Sequence, residues 1–512
     1  MPATDAQHWA DRVVDQLVAE RGNGPFLIAS GISPSGRIHV GNLREVLTAD
    51  IIHRVLNERG VETRFIFVAD DYDSLRKVYP FLDEEVYGPY VGVPLSDIPA
   101  PSGEDISYAD YFLRPFAASL QELKIEAEIV RASELYRTGA LLQQIVLALK
   151  HRDTIATILN EITGKEVADD WSPFNPQCAT CGSVTTTSLI AWDGENEAMT
   201  YRCKRCDIEQ TAPIVGNGKL TWRVDWPARW AALKVDVEPF GKDHGGKGGS
   251  YDTGKEIASR VFDWQAPFPI IYEWIRLKGL GDMSSSKGNV VAIEDVLEVV
   301  PPDVLRYFIT RPAPKTSLAL DPVTHLLNLV DEVDDETKKQ RDARAVELSR
   351  AGGFEPIGIP FNHLINVYQV AQGDLATVRD VLKRTGYHWS SDEALASRCN
   401  YASKWLDRFA PDEFKFHVPE ELPAVVAEFT PEQRELLGTL AQRLSSDINM
   451  DAEQIHRTLY DVATEASVSM GDICKLFYLS VIGKQRGPRA GWFASILGLE
   501  FVCRRLREAA GA

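Results

Sequence analysis

The sequence predicts a doubly wound parallel α/β domain, interrupted by a metal-bearing insertion and followed by an all-α region. Three observations predict it. A strand–turn–helix–strand unit opens the chain. A polar, turn-rich segment holding two Cys-x-x-Cys pairs then breaks the alternation of strands and helices. Past about Glu332 the strand signals stop.

Pro25-Phe26-Leu27-Ile28-Ala29 is a short apolar run bounded by a Gly/Ser/Pro turn, the pattern of a buried strand. Leu43, Val46, Leu47, Ile51 and Val55 recur at helical spacing and stop before Gly60; Phe65-Ile66-Phe67-Val68-Ala69 is the next strand. Together these make a right-handed βαβ crossover. Its second strand releases the chain into Asp70, Asp71 and Asp73, at the strand end where ligands gather in open parallel sheets. Residues 112–160 read as mostly helical, with a strand near Glu126 to Arg131. Residues 165–215 read as an insertion. Strand signals resume in Leu220 to Trp226 and Val235 to Glu238. A Gly-rich loop (Gly241 to Gly249), a helix (Tyr251 to Phe262) and a last apolar strand (Phe268 to Ile275) follow. Asp331 to Arg344 is highly charged, either a solvated helix or a linker. Helices are then expected over Ala396 to Phe409, Pro431 to Ser446, Ala452 to Met470, Asp472 to Ile482 and Trp492 to Ala509.

The 512 residues exceed what one core supports. With 44% hydrophobic and 25% charged residues, the composition is that of a globular protein. No apolar run reaches the length of a membrane span. Met1 to Arg21 lacks the basic-then-apolar layout of a signal peptide, so a cytoplasmic protein is expected. A formal charge of −19 argues weakly against a nucleic-acid partner, but it is a whole-chain sum. Lys484, Arg486, Arg489, Arg504, Arg505 and Arg507 make the C-terminus basic. RNA phosphate contacts are expected there, with a solvated charged face as the alternative.

Two short segments carry the chemistry. Pro34-Ser35-Gly36-Arg37-Ile38-His39-Val40-Gly41-Asn42 lies where a helix should begin, and free N–H groups and the helix dipole favour an anion there. His39 and Asn42 can donate to phosphate oxygens, and the glycines let a nucleotide approach the backbone. A glycine turn with a capping residue fits the same pattern. Met283-Ser284-Ser285-Ser286-Lys287-Gly288-Asn289 is a small-residue loop whose lysine could meet charge developing on phosphates; a plain surface loop is the alternative. Cys178-x-x-Cys181 and Cys203-x-x-Cys206 have zinc-ribbon spacing, four thiolates for a closed structural site, against unliganded core thiols.

In this order, the two segments resemble the HIGH and KMSKS signatures of class I aminoacyl-tRNA synthetases. The blocks Gly31 to Glu45, Ala69 to Val78, Thr221 to Trp226, Gly241 to His244, Gly248 to Gly254 and Tyr272 to Ile275 resemble the class I, archaeal-type lysyl-tRNA synthetases. The resemblance covers about residues 8 to 330 with specific blocks, and the helical tail only loosely. It implies a Rossmann-like catalytic domain (residues 1–160 and 217–282) split by a zinc-ribbon-like insertion (161–216). The second signature and a connecting domain (283–340) and an α-helical anticodon-binding domain (341–512) would follow. It implies activation of L-lysine by ATP with Mg²⁺ and transfer to tRNA-Lys, by a monomer without a membrane partner. ATP would contact Pro34, Ser35, Gly36, His39, Gly41, Asn42, Met283, Ser284, Ser286 and Lys287, with His39, Asn42 and Lys287 catalytic. Gly31, Ser33, Trp222, His244 and Tyr272 would line the amino-acid pocket. Asp71, from the acidic cluster, is taken as a lysine contact, although solvated loop acids fit that cluster equally.

Three departures stand out. Asp282 occupies the place of the first KMSKS lysine, Ser33 that of a threonine, and residues 98–111 lack the histidines of a second metal site, so no second metal is expected. Two other functions fit parts of the pattern: loading of lysine onto a non-tRNA acceptor, and a non-catalytic zinc-ribbon RNA-binding protein.

Overall fold

The computed structural model describes residues 7–278, 281–283 and 290–511. It divides into two compact units. One comprises Met1–Leu297, Pro302–Leu320 and Asp342–Gly353; the other comprises Glu298–Pro301, Asp321–Arg341 and Phe354–Ala512.

The first unit is built on five parallel strands: β1 (Phe26–Ile32), β2 (Thr63–Ala69), β3 (Glu128–Arg131), β4 (Val237–Gly241) and β5 (Phe268–Tyr272). Their spatial order is β5-β4-β1-β2-β3. Strand order reverses at β1, where Ile28 faces Phe65 on one side and Val237 on the other. A crevice therefore opens between the carboxyl ends of β1 and β4, the usual ligand position in doubly wound sheets. Helix α1 (Val40–Glu58) makes the crossover from β1 to β2. Its Leu43, Val46, Leu47, Ile51 and Val55 are all fully buried, and each such side chain contributes roughly 1.5–3 kcal/mol of transfer free energy. Gly60 turns the chain beyond this helix at φ 72°, a conformation that favours glycine.

The segment read as a strand from Leu220 to Trp226 is not one. The strand is Gly218–Leu220, and helix α2 (Trp222–Leu233) follows at once. Alternating bulky residues suggested period two, but Trp222, Trp226 and Trp230 recur every fourth residue and share one helical face. The last apolar strand also ends early, at Tyr272. Ile275–Leu277 belongs to a separate small sheet with Leu318–Leu320. Within the insertion, Thr187–Asp193, Ala198–Cys203 and Ile208–Pro213 form an antiparallel sheet, and Phe174–Pro176 pairs with Gly218–Leu220 at its base.

The second unit is helical. Its core joins Leu437, Leu440, Ile455, Phe477, Val481, Phe493, Val502 and Leu506. The charged stretch after Asp331 continues a helix, His325–Lys339, and is not simply solvated: Asp334 is buried and accepts from the Gly358 N–H at 3.0 Å. The helix expected over Trp492 to Ala509 is two, Ala490–Leu497 and Leu499–Ala510, broken at Gly498 with φ 89°. Two of the basic C-terminal residues are engaged internally. Arg505 is buried and donates to the carbonyls of Pro419, Glu420 and Glu421 at 2.7–2.9 Å. Lys484 donates to the carbonyls of Asp412 and Lys415 at 2.8 and 2.5 Å. Arg486, Arg489, Arg504 and Arg507 remain exposed. Among the described residues no helix is long and apolar enough to cross a membrane.

Arg306 is fully buried behind α1, donating to Asp50 at 2.5 Å and to the carbonyls of Leu348 and Leu123 at 3.0 and 3.1 Å. Arg306→Ala strands these acceptors in the core and is expected to cost about 3–5 kcal/mol in urea unfolding. A loss below about 1 kcal/mol would contradict that role.

Candidate active site

At the carboxyl end of β1 the chain cannot carry a side chain at position 31. A Cβ on Gly31 would stand 2.7 Å from the Val68 carbonyl oxygen of β2. This close approach brings Ser33 and the turn after it to the N-terminus of α1. There the His39 N–H donates to Asn42 Oδ1 at 3.1 Å. His39 is only 7% exposed, and its Nδ1 has no hydrogen-bond partner among the described residues. Burial pulls its pKa down to about 4, so the ring is neutral at pH 7. Gly41 makes room for that ring, since a Cβ there would lie 2.8 Å from the imidazole.

The flanks of the second segment meet the first. The Met283 methyl lies 3.4 Å from where a Gly41 Cβ would stand, the Val40 N–H donates to the Val291 carbonyl at 3.1 Å, and His39 pairs with Ala292. Ser284, Ser286 and Lys287 lie outside the described residues.

A cavity of about 790 Å³ occupies the crevice. Gly31, Ser33, His39, Gly41, Asn42, Trp222, His244, Tyr272 and Met283 all line it. Ser35 and Gly36 line an adjoining cavity of about 350 Å³. Pro34 is buried and lines neither. Asp71 also lies outside both. Its carboxylate accepts from the Ser133 N–H and hydroxyl, each at 2.7 Å, and pairs with Arg131 at 3.3 Å, so it braces β2 against the helix after β3.

The acids that do face the main cavity are Glu45, Asp73 and Asp243. Glu45 sits one turn into α1, on the same face as Gly41. It accepts from the Gly31 N–H at 2.8 Å and the Tyr272 hydroxyl at 2.7 Å. Burial pushes its pKa up to about 8 despite those two donors. That position relative to Gly41 was the one signal that could have singled it out. Asp73 differs. Burial raises its pKa, but the Lys219 ammonium at 2.8 Å and the Ser33 hydroxyl at 2.8 Å more than offset this and hold it at about 2. Lys219 also pairs with Asp70 at 2.6 Å, and Arg229 joins Asp70 and Asp225 at 3.3 and 3.2 Å. On the opposite wall the Trp222 ring lies 5.7 Å from His244, and the buried Trp226 ring stacks behind it at 5.4 Å.

In the insertion the four paired cysteines converge. Sγ atoms of Cys178 and Cys206 lie 3.9 Å apart, those of Cys181 and Cys203 3.8 Å, and all four within 4.8 Å of one another. A tetrahedron of thiolates at about 2.3 Å from an ion has edges of about 3.8 Å, so the set fits a divalent metal.

A helix N-terminus at the switch point of a doubly wound sheet, with the flanks of a serine–lysine loop packed on it, defines a class I synthetase core. The family model described as tRNA synthetases class I (K) matches residues 7–352, and that for an anticodon binding domain matches residues 395–510. Lysine–tRNA ligase 1 of Methanosarcina acetivorans is 45% identical over 98% of each chain. The lysine–tRNA ligase of Archaeoglobus fulgidus is 45% identical over 98% of this chain and 100% of its own. That of Methanocaldococcus jannaschii is 38% identical over 97% and 99%. The chain belongs to the class I lysyl-tRNA synthetase family.

The purified chain is expected to carry one tightly held divalent ion with all-sulfur coordination, and Cys203→Ser to lose it together with several degrees of thermal stability. A metal-free protein unmoved by chelator would refute this.

Proposed function

We infer that the chain activates L-lysine with ATP and transfers the lysyl group to the 3′ end of tRNA-Lys. A lysine carboxylate oxygen attacks the α-phosphorus of ATP in line. The bond from that phosphorus to the bridging oxygen breaks and pyrophosphate leaves. The terminal ribose hydroxyl of the tRNA then attacks the acyl carbon, AMP departs, and the hydroxyl proton is lost. The observation that carries the reading is the acid-floored crevice at the α1 N-terminus, where the first signature segment meets Met283, Val291 and Ala292 on either side of the lysine loop.

Little covalent chemistry falls to the protein, whose part is positioning and charge stabilisation. The neutral His39 ring donates an N–H to a phosphate oxygen, and the Asn42 amide donates beside it. Lys287 meets the charge on the departing phosphates, and ATP enters as its magnesium complex. Trp222, backed by Trp226, covers the aliphatic part of lysine, with His244 beside it. Glu45, rather than Asp71, receives the ε-ammonium. Asp73 is matched by Lys219 and Asp243 lies 3.5 Å from His244, whereas Glu45 is held by neutral donors only. A neutral or shorter analogue would leave Glu45 buried and unmatched, which is how such sites discriminate. Zinc is the ion we assign to the four thiolates, where it would tie the insertion's two knuckles together. The match to an anticodon binding domain supports tRNA as acceptor. We place the enzyme in the cytoplasm as a monomer.

Pyrophosphate–ATP exchange across the twenty amino acids, with and without tRNA, tests the reading. Lysine alone is expected to drive exchange, and Lys287→Ala to lower it at least a hundredfold. No exchange with lysine under either condition would end it.

Glu45 makes lysine binding pH-dependent. Its carboxyl, with a pKa near 8, is largely protonated at pH 6–7, and an ammonium ligand must displace that proton. Lysine affinity is therefore expected to rise up to about tenfold per pH unit below 8 and then level. Glu45→Gln should weaken binding and flatten the profile. A flat wild-type profile, or an unchanged slope in the variant, would remove Glu45 from this role.

A further inference from the structure

The main cavity poses an electrostatic problem. Among the described residues that line it, Arg76 is the sole lysine or arginine, against the acids Glu45, Asp73 and Asp243. Such a lining suits a cationic amino acid and offers a triphosphate little positive charge. The sequence deepens the problem, because Asp282 stands where a lysine of the second signature is expected.

The adjoining cavity of about 350 Å³ has the opposite character. It shares Ser33, His39, Asn42, Asp73 and Arg76 with the main cavity, so the two open onto each other at the α1 N-terminus. Lys77 completes its wall. The Arg76 side chain is 76% exposed, and its one ion pair among the described residues, to Asp73, is long at 3.6 Å. Lys77 is exposed and has no hydrogen-bond or ionic partner among the described residues. The His39 ring belongs to the same wall.

These cations do not ride on a loose loop. Leu75, immediately before them, is fully buried. Its N–H donates to the Val93 carbonyl at 2.9 Å and its carbonyl accepts from the Gly92 N–H at 2.8 Å. The Asp73 carbonyl accepts from the Leu95 N–H at 2.8 Å, and Ser74 pairs with Pro94. The backbone that presents Arg76 and Lys77 is thus pinned on its N-terminal side, with the side chains free to turn toward a ligand.

We propose that Arg76 and Lys77 bind the β- and γ-phosphates of ATP, and the pyrophosphate that leaves, in the smaller cavity. They supply positive charge that the second signature lacks at Asp282. Arg76 offers a planar fork matched to phosphate oxygens, and Lys77 a point charge. The assignment deepens the adenylate-forming reading and rests on ATP as substrate. It puts adenosine and lysine in the main cavity and the polyphosphate in its branch, away from the acid floor.

The test compares full-length wild type with Arg76→Ala, Lys77→Ala, the double variant and Arg76→Lys. Equilibrium binding is measured for ATP, adenosine and inorganic pyrophosphate, and KM for lysine and for tRNA. Each alanine variant is expected to weaken ATP and pyrophosphate binding by about tenfold, as loss of a charged hydrogen bond does, and the double variant by more. Adenosine affinity and the lysine KM should not move, and Arg76→Lys should recover most of the loss. A merely structural role would move adenosine and lysine as well. Wild-type affinity for ATP and pyrophosphate in the double variant would overturn the proposal. So would a change confined to the tRNA KM, which would assign the pair to a nucleic-acid backbone. ATP binding is read without lysine, so failure of lysine-dependent exchange counts against the activation reading and not against this pair. If one variant fails to fold, the other single variant carries the same comparison.

Discussion

The site depends on how tightly the first turn of α1 is confined. It begins at the point where strand order reverses, so its N–H groups and dipole face an open crevice rather than a neighbouring helix. The Val40 N–H is tied to the Val291 carbonyl, and His39 pairs with Ala292. Two segments far apart in sequence therefore share a backbone junction. A methyl group at Gly41 would meet the His39 ring at 2.8 Å, and one at Gly31 would meet the Val68 carbonyl at 2.7 Å. The two glycines thus have separate reasons: one seats an imidazole, the other lets β1 deliver the turn to the crevice.

Behind this junction lies a buried ionic network. Lys219 bridges Asp70 and Asp73, and Arg229 bridges Asp70 and Asp225, which also accepts from the Tyr136 hydroxyl at 2.5 Å. Burying so many charges is costly unless each is matched, so the network is poor evidence for stability. Its consequence is positional. It joins the end of β2, the strand leaving the insertion and helix α2, and the first and last of these deliver Asp73 and Trp222 to one cavity. It also saturates Asp73, so that acid stays ionised with no cation from a ligand. Glu45 has neutral donors only, and burial makes its carboxyl hold its proton to about pH 8. Two acids in one cavity are thereby separated into a fixed anion and a conditional one.

Much of this was legible in the sequence because it rests on local signals. Glycine turns after apolar runs, helical spacing in α1 and the paired Cys-x-x-Cys knuckles each declare a backbone geometry, and the crossover, the crevice and the thiolate cluster followed. What was not legible depends on partners distant in sequence. Asp71 looked like a ligand because it follows a strand, yet Ser133, some sixty residues on, claims its carboxylate at 2.7 Å. Glu45 looked like an ordinary helix acid because the strand positions that bury it, Gly31 and Tyr272, lie on two other elements. Arg505 read as part of a basic face, yet three backbone carbonyls surround it. The misread of Trp222 to Trp226 had a different cause. Three tryptophans spaced by four also alternate with small or polar residues, and period two and period four coincide over so short a run.

An acidic protein that handles two polyanions must separate its charges in space, and the two cavities suggest how. Helix α1 and the turn after β4 place Glu45 and Asp243 toward the bottom of the crevice. The loop after β2 places Arg76 and Lys77 at its side, next to the helix N-terminus. Attraction for an ammonium and attraction for a phosphate then act on different ends of one reacting complex. Coulomb interaction falls only as the inverse of distance in a poorly screened crevice, so neither end is independent of the other. An ionised Glu45 without its ammonium would oppose the approach of a triphosphate. A Glu45 that keeps its proton until lysine arrives removes that opposition from the free enzyme, which leaves the crevice less hostile to ATP whichever substrate enters first.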